Sequence, residues 1–245
     1  MKKINVGIAG GAGYTGGELL RILVRHPQVN IAFVHSSSNA GKPVFAVHSD
    51  LVGDTDLVFT SSFSDQIDVL FLCVGHGEAK KLLAEQTIAA SVSIIDLSQD
   101  FRLTANATIG DRTFVYGLPE LNREKISIAK NIANPGCFAT AIQLALLPLA
   151  KSGLLQDIYT TGITGSTGAG QSLSATSHFS WRANNIQSYK TLDHQHIFEI
   201  VQSLNHLQAD APLSTSGEGP GLHFVPWRGD FTRGIYTSSV IDCSL

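Results

Sequence analysis

A glycine-rich turn between a short apolar segment and an amphipathic helix constrains the fold of this chain more than any other feature of its sequence. Residues 4–9 (INVGIA) have the composition of a buried strand, Gly10, Gly13 and Gly16 follow directly, and residues 17–25 then carry leucine and valine at helical spacing. A turn of this kind lets the backbone approach a pyrophosphate at the N-terminus of the helix. We therefore predict a dinucleotide site, the alternative being a tight turn without a ligand. Its predicted contacts are Gly10, Ala12, Gly13, Tyr14, Thr15 and Gly16.

The end of the second predicted strand, residues 29–35, indicates which dinucleotide binds. An NAD site commonly places Asp or Glu about 20 residues beyond the glycine turn, where the carboxylate binds the ribose 2′-hydroxyl. Here His35 is followed by Ser36, Ser37 and Ser38, with Lys42 nearby and no acidic residue between them. Hydroxyl groups and backbone amides can donate to a 2′-phosphate, so the sequence favours NADP. The alternative is that the serines only cap a loop.

Apolar runs continue to alternate with helical segments through the first half of the chain. Residues 69–74 are apolar on both faces, as a central strand of a parallel sheet is. A helix is predicted from about residue 78, and a further strand over residues 92–97. This alternation predicts an α/β fold, a Rossmann doubly wound parallel sheet. The pattern breaks at the sequence Asn-Pro-Gly-Cys, residues 134–137. We predict an NADP-binding domain over residues 1–133 and a catalytic α+β domain over residues 134–245.

Composition excludes several classes of protein. The 245 residues include 17 Lys and Arg against 20 Asp and Glu, a formal charge of −3, whereas nucleic-acid binders carry a basic face. No apolar run approaches the roughly 20 residues of a membrane-spanning helix. The first residues also lack the apolar region of a signal peptide, which predicts a cytoplasmic protein.

Cys137 is the cysteine with the most reactive setting. It follows Pro-Gly and precedes a predicted helix over residues 140–151, whose dipole would lower the pKa of a thiol and stabilise an oxyanion. Cys73 and Cys243 lie in apolar strands and are predicted to be core thiols. The three are too widely separated to predict a disulfide framework or a zinc site. The alternative for Cys137 is a buried structural cysteine.

A thiolate nucleophile needs an acid/base partner, and the segment around residues 193–199 offers histidines. His194 and His196 are two residues apart, which is not the helical spacing of a metal-binding pair, so no metal site is predicted. A histidine of this segment oriented by Glu199 is chemically suited to the acid/base role. Spacing alone does not select which histidine acts.

Six ordered motifs, taken together, resemble the N-acetyl-γ-glutamyl-phosphate reductases, a family similar in plan to aspartate-semialdehyde dehydrogenase and glyceraldehyde-3-phosphate dehydrogenase. They are residues 10–18 (GGAGYTGGE), 96–103 (DLSQDFRL), 116–123 (YGLPELNR), 134–140 (NPGCFAT), 165–170 (GSTGAG) and 193–199 (DHQHIFE). The resemblance covers nearly the whole chain. It implies reduction of a small-molecule acyl phosphate by NADPH through a thioester on a cysteine, in arginine biosynthesis.

The resemblance also implies roles for individual residues. Cys137 matches the nucleophile, His196 the acid/base residue and Glu199 its partner. The loop over residues 165–170, with Ser166 and Gly168, is expected near the nicotinamide. Arg102 and Arg182 are candidates for binding anionic substrate groups, the alternative being structural ion pairs. A homodimer or tetramer built through the sheet of the second domain is expected, with neither nucleic acid nor membrane as a partner.

Two departures from the family pattern leave alternatives open. Gln195 stands where the family commonly has Arg, which leaves open an N-succinyl rather than an N-acetyl substrate. The family's last strands and its returning helix are absent, so we expect this chain to be part of a longer protein. Two other hypotheses are an enzyme that acts on aspartyl phosphate and a nucleotide-binding regulator without catalytic activity. A regulator would have no need for Cys137 in its Pro-Gly-Cys-helix setting.

Overall fold

The computed structural model describes residues 2–243. The chain divides into two compact units, Met1–Asn134 and Pro135–Leu245. Among the described residues, no helix is both long enough and apolar enough to span a membrane. The sequence also predicts a strand over residues 237–245, of which residues 244 and 245 lie outside the described residues.

The first unit is built on a seven-stranded parallel sheet in the order β3-β2-β1-β4-β5-β9-β8. Its strands are β1 (Ile4–Ala9), β2 (Val29–His35), β3 (Phe59–Thr60), β4 (Val69–Leu72), β5 (Ser93–Asp96), β8 (Val115–Tyr116) and β9 (Asn131–Ala133), while β6 (Thr108–Ile109) and β7 (Arg112–Thr113) form a separate ribbon. Its helices are α1 (Tyr14–Leu23), α2 (Glu78–Glu85) and α3 (Pro119–Ile128). The predicted Rossmann architecture is confirmed.

Alternate residues of the central strands enter two different apolar clusters, one for each face of the sheet. Val6 and Ile8 of β1 pack with Leu20 and Leu23 of α1. The other cluster contains Leu70 and Leu72 of β4, Ile94 of β5 and Ala79 of α2, among others. Because both faces of a parallel sheet are covered by other segments, its central strands are mainly apolar, as β4 shows, which is why the sequence predicted them.

The second unit combines a four-stranded mixed sheet with helices. Its elements are α4 (Cys137–Lys151), β10 (Leu155–Thr164), α5 (Phe179–Arg182), β11 (Gln187–Ser188), α6 (His196–Leu207), β12 (Leu222–Arg228) and β13 (Ile235–Cys243). The strand order is β11-β12-β10-β13, with β10 and β12 parallel and the other pairs antiparallel. Helices α4 and α6 pack together and against this sheet. The predicted α+β unit is confirmed.

The two cysteines predicted to lie in the core differ in their surroundings. Cys73 is buried after β4, and burial raises the pKa of its thiol to about 12. The prediction for Cys243 is wrong, because its side chain is exposed. It lies at the end of β13, which within residues 2–243 pairs only with β10 and has no fully buried residue. Apolar alternation marked this strand correctly but could not reveal that it lies at the edge of the sheet.

Asp96 at the end of β5 is a buried carboxyl group whose ionisation opposes folding. It accepts hydrogen bonds from the amide and the hydroxyl of Ser98, at 3.0 and 2.8 Å. Burial nevertheless raises its pKa from 3.8 to about 6. The folded chain therefore binds a proton more tightly than the unfolded chain, and this group's contribution to stability falls as the pH rises from about 4 to about 6.

We expect Asp96→Asn to increase the free energy of unfolding relative to the wild type as the pH rises from 4.5 to 7.5, by roughly 2–3 kcal/mol. The amide keeps an acceptor for Ser98 but carries no charge. Urea unfolding at several pH values measures the difference, and Asp56→Asn at an exposed position is the matched control. A difference that stays constant with pH would contradict the assigned ionisation.

Candidate active site

The glycine turn of the first unit has no room for side chains at two of its three repeated glycines. Gly10 has a φ of +77°, and a Cβ there would collide with the carbonyl oxygen of Cys73. A Cβ on Gly16 would lie 2.6 Å from the Cα of Gly11. Helix α1 starts directly after the turn, at Tyr14, with no acidic residue in its first turn. The turn thus presents backbone amides at the positive end of a helix dipole, the geometry that binds a pyrophosphate.

His48 supports this turn and was missed by the sequence analysis. Its Nε2 lies 2.8 Å from the carbonyl oxygen of Gly11, and its ring occupies the space beside Gly17, where a Cβ would lie 2.6 Å from it. The side chain is buried. No local pattern marks His48, because the contact joins residues 37 positions apart.

The three serines after β2 are not equivalent. Ser36 is buried and its amide donates to the carbonyl of Thr60, whereas Ser37 and Ser38 are exposed. The ammonium group of Lys42 lies 3.2 Å from the Asn39 side-chain oxygen, at the same turn. A cavity of about 620 Å³ opens beside this strand end, with His35, Ser37, Phe63, Val74 and Lys81 in its lining.

In the second unit, Cys137 is the first residue of α4 and its side chain is exposed. Gly136 before it has an extended backbone (φ −66°, ψ 150°) and is buried. The Cys137 sulfur therefore lies at the positive end of the α4 dipole. The alternative of a buried structural cysteine is excluded by this exposure.

His196 and Glu199 lie in the first turn of α6, and their side chains contact Gly136, the residue before Cys137. The amide of Gly136 donates to Glu199 Oε2 at 3.1 Å, and Glu199 Oε1 lies 3.6 Å from His196 Nε2. Both side chains are buried. A Cβ on Gly136 would collide with His196 Nε2 and lie 2.6 Å from Glu199 Oε1. Only glycine at position 136 allows this approach, so the Pro-Gly-Cys sequence serves the histidine as well as the helix start.

His194 is enclosed by aromatic side chains, and its imidazole is uncharged at neutral pH. The rings of Phe138, Tyr189, His196 and Phe224 lie within 6.0 Å of its own. Burial, assisted by the charge of Lys190, lowers its pKa to about 4. Its Nδ1 accepts a hydrogen bond from the amide of His196 at 3.2 Å. His194 therefore orients the start of α6, which leaves His196 as the histidine suited to proton transfer.

The side chain of Gln195 accepts a hydrogen bond from a lysine ammonium group. Lys190 Nζ donates to Gln195 Oε1 at 2.8 Å. The charge of Lys190 also helps to lower the pKa of His194, so a positive charge lies near Gln195 and His194 although position 195 itself is neutral.

The loop over residues 165–170 forms a short turn bonded to the β12–β13 connection. Ser166 donates its hydroxyl to the carbonyl of Gly229 at 2.9 Å, and the Thr167 hydroxyl donates to the carbonyl of Thr232. The Ser166 side chain is thereby engaged, while Gly168 is exposed. A ligand at this loop would meet mainly backbone.

The two predicted anion-binding arginines differ. Arg102, in the first unit, is buried and donates to the carbonyls of Asn134 and Leu97, at 2.9 and 3.1 Å. Arg182, in the second unit, is also buried and donates Nη1 to the carbonyl of Arg228 at 3.2 Å. Its Nε and Nη2 find no acceptor within residues 2–243. Over the same described range, no cluster of three or more metal-binding side chains occurs.

We expect Cys137 to react with iodoacetamide at pH 7 at least about 10-fold faster than Cys243, because only Cys137 lies at a helix N-terminus beside a histidine. Cys73, buried, serves as the unreactive reference. Peptide mass spectrometry after timed alkylation measures all three in one sample. Equal rates at the two exposed cysteines would contradict the proposed environment of Cys137.

Each of the two units matches a domain of a known protein family. The model of the semialdehyde dehydrogenase NAD-binding domain matches residues 5–129, and that of the semialdehyde dehydrogenase dimerisation domain matches residues 137–244. An N-acetyl-gamma-glutamyl-phosphate reductase of Christiangramia forsetii is 53% identical over 96% of this chain and 70% of its own length. One of Flavobacterium johnsoniae is 54% identical over 98% of this chain and 72% of its own length.

Solved structures show the same fold at low sequence identity. Aspartate semialdehyde dehydrogenase II from Vibrio cholerae matches 99% of this chain and 75% of its own with a TM-score of 0.68 at 18% identity. Aspartate semialdehyde dehydrogenase with NADP from Candida albicans matches 98% of this chain and 71% of its own, with a TM-score of 0.64 at 15% identity.

Proposed function

The chain belongs to the N-acetyl-γ-glutamyl-phosphate reductase family, and from this membership we propose which of its residues carry out the reductase reaction. The chain is an oxidoreductase that uses a nicotinamide cofactor to reduce N-acetyl-γ-glutamyl phosphate to the semialdehyde and phosphate, a step of arginine biosynthesis. The observation that carries the assignment of residues is the contact of His196 and Glu199 with Gly136, directly beside Cys137.

Cys137 is the nucleophile in this proposal. Its thiolate attacks the acyl carbon, a C–S bond forms, the bond from carbon to the phosphate oxygen breaks, and inorganic phosphate leaves. The cofactor, when bound, supplies a hydride to the resulting thioester carbon. Breakage of the C–S bond in the thiohemiacetal then releases the aldehyde and restores the thiolate. The sulfur stays at the start of α4 throughout the reaction. In the thiolate form, before attack and after aldehyde release, the helix dipole favours its negative charge.

In this proposal His196 transfers the proton, and Glu199 orients the His196 imidazole. The imidazole accepts the proton of the thiol and donates it to the oxygen that becomes negative when hydride adds; removing that proton again accompanies release of the aldehyde. Glu199 lies 3.6 Å from His196 Nε2 and also accepts the Gly136 amide hydrogen bond, so one carboxylate positions both the histidine and the backbone before the nucleophile.

We propose NADP as the specific cofactor. The glycine turn, whose Gly10 and Gly16 leave no room for a Cβ, suits a pyrophosphate. The exposed hydroxyls of Ser37 and Ser38, with Lys42 nearby and no acidic residue over positions 35–42, suit a 2′-phosphate. The cavity beside His35 has a volume in the range of nucleotide sites and is proposed for the adenosine. In the same proposal Ala12, Gly13, Tyr14, Thr15 and Ser36 complete the nucleotide contacts, and the backbone of Ser166 and Gly168 contacts the nicotinamide.

The second unit carries a dimerisation domain, so the chain forms oligomers. We propose a homodimer or tetramer that packs through the exposed face of its sheet, where Tyr159, Tyr236 and Val240 are each more than half exposed. Arg102 and Arg182 stay proposed as ligands of anionic substrate groups, as does the cytoplasmic location of the protein.

We expect Cys137→Ser to abolish phosphate-dependent oxidation of N-acetylglutamate semialdehyde by NADP, lowering kcat by at least about 1,000-fold, because a serine hydroxyl is not ionised at neutral pH. Absorbance of the reduced nicotinamide measures the rate, and Cys243→Ser is the matched control. Parallel assays with N-succinylglutamate semialdehyde and aspartate semialdehyde identify the preferred substrate. Full activity of Cys137→Ser would overturn the thiolate mechanism.

We expect Ser37→Asp to raise the KM for NADPH by at least about 10-fold while changing the KM for NADH by less than about 3-fold, since the new carboxylate repels a 2′-phosphate but can bind a 2′-hydroxyl. Ser127→Asp, which adds the same charge on α3, should change neither value. A wild type that prefers NADH would show that the serines do not select NADP.

A further inference from the structure

Arg182 and Arg228 carry buried guanidinium nitrogens that have no acceptor among residues 2–243. We propose that together they bind the carboxylate of the glutamyl substrate. The proposal rests on the proposed function and assigns Arg182 a specific ligand group. It adds Arg228, which the sequence analysis did not single out.

Arg182 presents one complete edge of its guanidinium without a partner. It lies at the end of α5, is 8% exposed, and uses Nη1 to donate to the carbonyl of Arg228. Nε and Nη2, which form the opposite edge, are buried without an acceptor. Two parallel N–H groups along one edge match the two oxygens of a planar carboxylate. Because arginine keeps its charge in proteins, such an edge is costly to bury unless an anion pairs with it.

Arg228, the last residue of β12, has one such nitrogen. Its Nε is buried without an acceptor in the described part of the chain, and its guanidinium carbon lies 4.6 Å from the centre of the Tyr189 ring. Stacking on an aromatic face leaves the edge of a guanidinium available to a further ligand. Across residues 2–243, no carboxylate lies within ion-pairing distance of either arginine.

Arg228 ends β12, and the helix that begins with the nucleophile, α4, packs against the same sheet. Along β12, Phe224 and Arg228 point to the same face, and Phe224 packs against Phe138, the residue after Cys137. Tyr189 links the two regions, because its ring contacts His194 at 5.7 Å as well as Arg228. The charge of Cys137 also contributes to the raised pKa of Tyr189, which is due mainly to burial.

The substrate carries its carboxylate at the opposite end from the reacting acyl group, separated from it by a short carbon chain. Binding of that carboxylate by the arginines would hold the acyl carbon at a set distance, near Cys137. The planar edge of Arg182 fits the unreacting carboxylate, which keeps its charge and shape through the whole reaction.

The test compares two aldehydes that differ only in the carboxylate: N-acetylglutamate semialdehyde and N-acetyl-4-aminobutanal. We expect R182Q and R228Q each to lower kcat/KM for the carboxylate-bearing aldehyde by at least about 30-fold, mainly through KM, and for the other by less than about 3-fold. R182K, which keeps the charge but loses the bidentate edge, should be intermediate. R25Q, which removes an exposed arginine of the first unit, is the matched control and should change neither value. Equal losses on both aldehydes would assign the arginines a structural role and overturn the proposal, as would a rise in the KM for phosphate alone.

A binding measurement separates this proposal from the proposed function. Calorimetric titration with N-acetylglutamate needs no turnover, and R182Q and R228Q should weaken its binding by at least about 30-fold relative to R25Q. A wild type that binds N-acetylglutamate through these arginines but does not oxidise the semialdehyde would overturn the function and keep the site. Equal binding by all variants would overturn the site, whatever the activity, and would leave a residue outside this chain as the partner of the arginines.

Discussion

The missing side chain at Gly136 is the constraint on which the arrangement around Cys137 depends. A Cβ at this position would occupy the space that His196 Nε2 and Glu199 Oε1 fill. The Gly136 amide also donates to Glu199, so the carboxylate is held to the residue that precedes the nucleophile. One glycine therefore joins the start of α4 to the start of α6, and the two chemical groups needed for thioester formation come from two helix N-termini that meet there.

The packing around these helices explains why the histidines of one motif differ in their properties. His194 is surrounded by the rings of Phe138, Tyr189 and Phe224, and burial keeps it neutral and able to accept the His196 amide. His196 instead lies against a carboxylate. His194 and His196 are only two positions apart, yet their side chains face different surroundings. His194 therefore orients the backbone, whereas His196 can transfer a proton.

The sequence predicted those features that depend on local chemistry. The glycine turn, the mainly apolar central strands of the first unit and the Pro-Gly-Cys start of α4 are each visible within a short window of residues. Cys243 was misjudged because apolar alternation cannot distinguish an edge strand from a central one. His48, Tyr189 and Arg228 were not singled out because their contacts join distant segments, as in the hydrogen bond from His48 to Gly11. Arg102 matched a family motif, but the motif does not show that its guanidinium donates to the carbonyls of Asn134 and Leu97.

The central claim is that Cys137 forms a covalent thioester with the help of the residues that meet at Gly136. Incubating the protein with N-acetylglutamate semialdehyde and NADP in the absence of phosphate tests it most directly, since the thioester then has no phosphate to attack it. We expect a rapid burst of about one NADPH per active site, with one N-acetylglutamyl group found by mass spectrometry on the peptide that contains Cys137. Steady turnover without a burst, or an adduct on any other residue, would contradict the account.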